Sequence, residues 1–303
     1  MDKSVSAPPR RRRKTLSALE KALKDSNPAV VVRCQQLEPV LIQQLLGALF
    51  MTKLTLLFAR VTEENWRVLM GGLELHPALS TLILVGVMLT ECNVFALAKL
   101  LKNNPRITTL HLKRSYSLPS AHEIFRSALH LREFVLTEFN EVQTLANFVV
   151  GSANLRHLTF EPDKICDLAS LANALRQNTP LRVLEIFFMF PYDESLLLVN
   201  TLEDANFSLT ELRYPFWARD VMTKVKRALK RNRRIQSAVR NAMHCLALIP
   251  RGTPMLAPLK VVFSNTLFRR IMWTGAYFRA WHEQGLVDAA TVTEKKKKRK
   301  TKH

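Results

Sequence analysis

The chain has 303 residues, 48% of them hydrophobic, with 8 Gly, 14 Pro and a formal net charge of +20. That is enough apolar material for a buried core, and too little Gly and Pro for a low-complexity or collagen-like chain. The charge is lopsided: residues 1–25 carry net +5, residues 219–240 net +8 and residues 291–303 net +6, so the rest is near neutral, which excludes a body that wraps nucleic acid along its whole length.

In chain order, residues 1–25 hold Arg10, Arg11, Arg12, Arg13 and Lys14 without apolar periodicity and read as a disordered basic tail. Residues 26–240 then repeat one pattern about eight times. An aliphatic or aromatic triplet at offsets 0, 3 and 5 occurs as Met51/Leu54/Leu56, Leu79/Leu82/Leu84, Ile107/Leu110/Leu112 and Leu131/Phe134/Leu136. It continues as Leu155/Leu158/Phe160, Leu181/Leu184/Ile186 and Leu209/Leu212/Tyr214, at intervals of 28, 28, 24, 24, 26 and 28 residues. Val30 and Val32 form a weaker copy upstream, and a degraded one starts at Ile235. Offsets 3 and 5 share one face of a short strand. Apolar residues at three- and four-residue steps follow each strand, for example Phe95, Leu97, Ala98, Leu100 and Leu101, and predict a helix. Breakers then end the helices in "KNNP" (102–105), "GSAN" (151–154), "RQNTP" (176–180), "DANFS" (204–208) and "KRNRR" (230–234). One strand–helix unit leaves its inner sides wet, and stacking many of them buries those sides, so a fixed period of this length predicts a solenoid.

Residues 241–290 are apolar enough to cap the last repeat as a helical extension. Phe263, Leu267, Ile271 and Phe278 fall on one helical face there with Arg269, Arg270 and Arg279 elsewhere, which also fits an amphipathic helix for a membrane surface or a partner groove. Residues 291–303 end the chain in a second disordered tail with Lys295, Lys296, Lys297, Lys298, Arg299 and Lys300. Cys34, Cys92, Cys166 and Cys245 lie far apart without metal-ligand spacing and predict reduced, mostly buried thiols in an intracellular protein with no leader. The longest uncharged run near the middle, residues 79–90, has 12 residues, whereas a membrane-spanning helix needs about 20.

The segments "LSTLIL", "ITTLHL", "LRHLTF", "LRVLEI" and "LTELRY" resemble the L-x-x-L-x-L core of leucine-rich repeats, and the 24–28 residue period with an outer helix resembles the ribonuclease-inhibitor type. The resemblance implies an α/β horseshoe with a parallel concave sheet, outer helices and a protein-binding role. One departure marks a divergent member. The family's Asn or Cys at offset 8 is replaced by Ala59, Val87, Ser115, Phe139, Asp163, Met189 and Trp217.

Three candidate surfaces follow. Offset 1 carries Arg132, Arg156 and Arg182 in consecutive repeats, which reads either as a column for an acidic or phosphorylated partner or as cations paired with Glu133, Glu138, Glu161 and Glu185. Phe187, Phe188, Phe190, Phe216 and Trp217 cluster after two successive strands, as an exposed aromatic anchor or as a patch under the C-terminal segment. Lys224, Lys226, Arg227, Lys230, Arg231, Arg233 and Arg234 form a basic patch on the last repeat helix, either a solvated helix end or a contact for nucleic acid or an acidic protein. The two tails read as nuclear or nucleolar localisation signals, with nonspecific nucleic-acid affinity, plain solubilisation and, for the first, a mitochondrial leader as other readings.

No phosphate loop, G-x-S-x-G or H-E-x-x-H occurs, and the eight histidines are scattered, so no enzyme, cofactor or metal is expected. His111 and His157 are expected on the concave side without a matching nucleophile. The leading expectation is a nuclear protein-interaction scaffold. Nucleic-acid association through the basic segments is the alternative. A GTPase-activating leucine-rich-repeat protein is a second one, although members acting on Ran typically end in an acidic tail and this chain ends in lysines.

Overall fold

The computed structural model describes residues 26–33, 36–114, 120–164, 167–177, 179–214 and 219–247. Eight parallel strands lie side by side in sequence order: β1 (Ala29–Arg33), β2 (Lys53–Leu57), β3 (Thr81–Val85), β4 (Thr109–Lys113), β5 (Glu133–Thr137), β6 (His157–Glu161), β7 (Val183–Ile186) and β8 (Glu211–Arg213). A helix follows each strand: α1 (Pro39–Gly47), α2 (Glu63–Glu74), α3 (Glu91–Asn103), α4 (Ala121–Ser127), α5 (Val142–Gly151), α6 (Ala169–Arg176), α7 (Tyr192–Asp204) and α8 (Arg219–Ala247).

The register is the one the triplets demand. Val30, Leu54, Leu82, Leu110, Phe134, Leu158, Leu184 and Leu212 are successive cross-strand partners. The triplet side chains are fully or almost fully buried from Met51 to Leu209, and Leu212 and Tyr214 pack partly against the same core. One continuous core therefore runs between sheet and helices, stabilised by roughly 25 cal/mol per Å² of apolar surface. Around β5 it is aromatic: Phe125 lies 5.7 Å from Phe134 and 5.4 Å from Phe139, and Phe134 lies 5.4 Å from Phe148. This is a leucine-rich-repeat solenoid.

Local chemistry sets where each unit turns. Thr62 and Thr90 accept the amides of Asn65 and Asn93 and cap α2 and α3, and Pro39 opens α1. At the strand exits Phe58, Gly86, Arg114 and Glu138 all adopt positive φ, between 51° and 62°. Only Gly86 does so without steric cost, and a Cβ there would lie 2.3 Å from the Phe58 ring.

Between helix and strand the chain builds a polar ladder three residues ahead of the first core position. His76 Nε2 lies 3.2 Å from the Ala48 carbonyl, and Asn104 Nδ2 donates to Leu73 O and His76 O. Ser152 donates to Leu129 O, Asn206 to Leu175 O, and Asn232 to Asn206 O and Leu209 O. All five are buried. The inter-repeat hydrogen bonding that the family places at offset 8 is thus carried in this chain at the opposite end of the strand.

Three expectations are corrected. Ile235 starts no ninth strand and "KRNRR" stops no helix; both lie inside α8, which runs unbroken to Ala247 and past residue 240. Lys and Arg are good helix formers, and the one breaker-like residue, Asn232, is buried with both donors used. Cys92 is exposed on α3, not buried; residues 34 and 166 and the Cys245 side chain lie outside what is described. Phe95, expected on the buried helix face, is 48% exposed. Among the described residues no helix is long and apolar enough to cross a membrane.

Candidate functional site

Strand alternation presents offsets 2, 4 and 6 on the concave face. Offset 4 across the sheet reads Val31, Thr55, Ile83, His111, Val135, Thr159, Glu185 and Arg213, and offset 2 includes Lys53, Thr109, Glu133, His157 and Glu211. The face is polarised. Arg33, Lys53 and Lys113 lie towards the β1 end, Leu57, Ile83 and Val85 between them, and Glu133, Glu161, Glu185 and Glu211 towards the β8 end.

The acidic half is wired from strand to strand. His111 Nε2 lies 3.0 Å from Glu133 Oε1. Glu185 accepts from Thr159 Oγ1 at 3.0 Å and from Arg213 Nη1 at 2.5 Å, and His157 Nε2 lies 3.5 Å away. Arg213 Nε also bonds Glu211 at 2.7 Å. Burial pushes the His111 imidazole below its ordinary pKa, overriding the pull of Glu133. Near neutral pH it is therefore a neutral hydrogen-bonding group. Both histidines do sit on the concave side, each against a carboxylate. Among the described residues no group of three or more His, Cys, Asp and Glu side chains is placed to hold a metal ion.

The structure separates the predicted arginines from this network. The carbonyl of every offset-1 residue from Thr52 to Arg182 accepts two amides of the following repeat; Arg132 O, for instance, takes Arg156 N and His157 N at 2.8 and 3.0 Å. Two of the side chains reach the helix-to-strand loops. Arg156 Nη1 donates to Pro180 O and Arg182 Nη1 to Ser208 O, one repeat further on. Arg132, at the same offset, is exposed. The carboxylates Glu133 and Glu185 meanwhile face His111 and Arg213.

The aromatic cluster splits. Phe190 is buried, packs 5.2 Å from Phe188 and stacks at 6.3 Å on Tyr214, whose hydroxyl accepts the Phe190 amide. Phe188 is half-buried against the core. Phe187 remains 49% exposed at the end of the concave face, with Met189 beside it at 60%. Phe216 and Trp217 lie outside the described residues. At the other end of the same strand-exit edge Phe58 and Met88 are exposed as well, a feature that no repeat pattern in the sequence signals.

The basic patch also divides. Arg231 is drawn inward: its guanidinium donates to the carbonyls of Leu202, Glu203 and Asn206 and lies 4.5 Å over the Phe207 ring, closing the C-terminus of α7. Lys224 is half-buried. Lys226, Arg227, Lys230, Arg233 and Arg234 are exposed, as are Arg219 and Arg240. The runs Arg10–Lys14 and Lys295–Lys300 lie outside the described residues.

No protein-family model matches this chain, and no curated protein matches it. Among solved structures it is similar to leiomodin-1 actin-binding site 2, at 14% identity over 80% of this chain and 99% of that one, with a TM-score of 0.30. It is also similar to an internalin from Listeria monocytogenes, at 15% identity over 71% of this chain and 59% of that one, TM-score 0.41. The tropomodulin C-terminal domain of Caenorhabditis elegans shares 14% identity over 74% of this chain and 97% of that one, TM-score 0.21. These likenesses concern the fold alone.

Proposed function

We propose that the protein is a non-enzymatic interaction scaffold whose concave sheet and strand-exit edge hold a protein partner. The observation that carries the reading is the juxtaposition at β7: the exposed Phe187 and Met189 border the ion-paired Glu185, Arg213 and Glu211. An apolar anchor ringed by oriented charge is what a binding hot spot requires. The helix on the outer side of every repeat supports the ribonuclease-inhibitor-like repeat type. The tails Arg10–Lys14 and Lys295–Lys300 support a nuclear address.

The test compares capture by the full chain, by Phe187→Asp with Glu161→Lys, and by a chain lacking residues 1–25 and 291–303, each with and without nuclease. A partner lost only with the concave double variant, and a tail-less chain that keeps the partner but changes compartment, support the reading. Equal capture by a correctly folded double variant sinks it. A second reading, nucleic-acid association through the basic segments, is favoured by one observation: the exposed cations along α8.

A further inference from the structure

We propose that α8 is a docking rod for the phosphate backbone of a nucleic-acid duplex, bound without regard to sequence; this rests on the second reading above and gives it a surface.

The helix is asymmetric. Val221, Val225, Ala228, Leu229, Asn232 and Ile235 are buried against the preceding repeat. The opposite side presents Arg219, Lys226, Arg227, Lys230, Arg233, Arg234 and Arg240, all exposed. At 3.6 residues per turn these seven cations fall within an arc of about 140° and extend over about 32 Å of helix. Their competition is weak. Glu203 lies 3.9 Å from Arg227, and Asp220, the one acidic residue of the helix among 219–240, is engaged by the Tyr192 hydroxyl at 3.0 Å. Arg233 spends its Nε on Thr210 O at 2.8 Å and keeps its other donors. No remaining segment of the chain supplies a complement, since residues 1–25, 248–290 and 291–303 carry net charges of +5, +3 and +6.

The chemistry of the face selects among anions. A helix that enters a lipid surface does so with its apolar side, and that side of α8 is already buried. A site for single strands adds aromatic platforms for the bases, and among the described residues no aromatic side chain lies on the exposed arc from Arg219 to Arg240. What remains is a band of seven arginines and lysines facing outward, Arg227 beside Glu203 and Arg233 bonded through its Nε. A duplex presents a phosphate on each strand about every 3.4 Å of its axis, so a 32 Å row (approximately) finds a phosphate for each head group. The contact is to the backbone only, which positions a duplex and reads no sequence.

The experiment measures binding of a short mixed-sequence duplex as a function of salt. It uses the full chain with Arg10–Lys14 and Lys295–Lys300 replaced by Gln or Ser, so that the tails contribute nothing. With about five phosphate contacts the affinity falls roughly 500-fold when salt rises fourfold. Adding Lys226→Gln, Lys230→Gln and Arg234→Gln removes three contacts and reduces that fall to roughly tenfold. The charge-preserving set Lys226→Arg, Lys230→Arg and Arg234→Lys keeps the parent's fall. All three substituted positions are exposed, and circular dichroism and the melting temperature verify that the fold is intact. The proposal is overturned if the triple variant keeps the parent's salt dependence, if a single strand of the same sequence binds more tightly than the duplex, or if polyglutamate displaces the duplex at equal charge. If only the chain with native tails binds, α8 is not the site and association through the tails stands. If neither chain binds, both readings fall.

Discussion

Asn104, Ser152 and Asn206 have a double duty. Each sits in a stretch that reads in the sequence as a helix breaker, and each hydrogen-bonds a carbonyl of the repeat before it; Asn232 does only the second, inside α8. The breaking at the first three was legible, because short polar side chains compete with the helix backbone for hydrogen bonds. The ladder was less so: its position reads Ala48, His76, Asn104, Ala128, Ser152, Asn178, Asn206 and Asn232, so Asn recurs but is interrupted by His, Ser and Ala. His76 of the ladder and His130, two residues beyond the ladder position of its repeat and 3.0 Å from Ile107 O, make the helix-to-strand junctions sensitive to acid. Burial lowers both imidazoles below 6.5, more than their carbonyl contacts raise them. The unfolded chain therefore takes up protons first as pH drops. Stability holds above about pH 6.5 and declines below it. A urea midpoint that falls between about pH 7.5 and 5.5, and falls less in His76→Gln with His130→Gln, is the expected result. An unchanged slope in the double variant would count against the assignment.

At the scale of the element, triplets buried on both sides read cleanly from the sequence, because each strand position has one geometric role. The terminal helix did not. It runs 29 residues where the other helices run 7 to 13. Nothing in "KRNRR" shows that Arg231 turns inward while Lys230 turns out, since the two letters are chemically alike and only the helix phase against α7 distinguishes them. That phase gives a sharp contrast. Arg231→Gln strips a charged donor from three carbonyls in and just beyond the last turn of α7 and should cost about 2 kcal/mol or more, lowering the melting temperature by about 4 to 8 °C. Lys230→Gln should stay within about 0.5 kcal/mol. Thermal melts of the two variants side by side check this, and equal shifts would refute the division of the patch. The aromatic cluster teaches the same lesson: Phe187, Phe188 and Phe190 read alike as letters, and the path of the loop after β7 seats Phe190 against Tyr214 while Phe187 faces solvent.

Across the whole molecule, each repeat touches only its neighbours, so interior repeats are held on two sides and terminal ones on one. Amide exchange should be slowest in β3 to β6, where the sheet is flanked and the Phe125–Phe134–Phe148 cluster lies, and faster in β1 and in the three-residue β8. Uniform protection along the sheet would contradict the picture of stacked units. The charge plan is equally segmental. The concave face is balanced, basic near β1 and acidic near β8, whereas the outer flank of α8 is basic throughout. A partner in the horseshoe and a polyanion along its last helix would occupy different sides of one rod.

The offset-1 carbonyls and the junction side chains share a direction: each later repeat donates, and each earlier one accepts. During synthesis the chain leaves the ribosome amino end first. Other bonds run the opposite way, since Phe58 N, Gly86 N and Glu138 N donate to Val85 O, Lys113 O and Glu161 O of the following repeat, so a growing end presents bare carbonyls and bare amides alike. Assembly can proceed like a zip closed from one end, each new repeat completing both sets of bonds of the one before it.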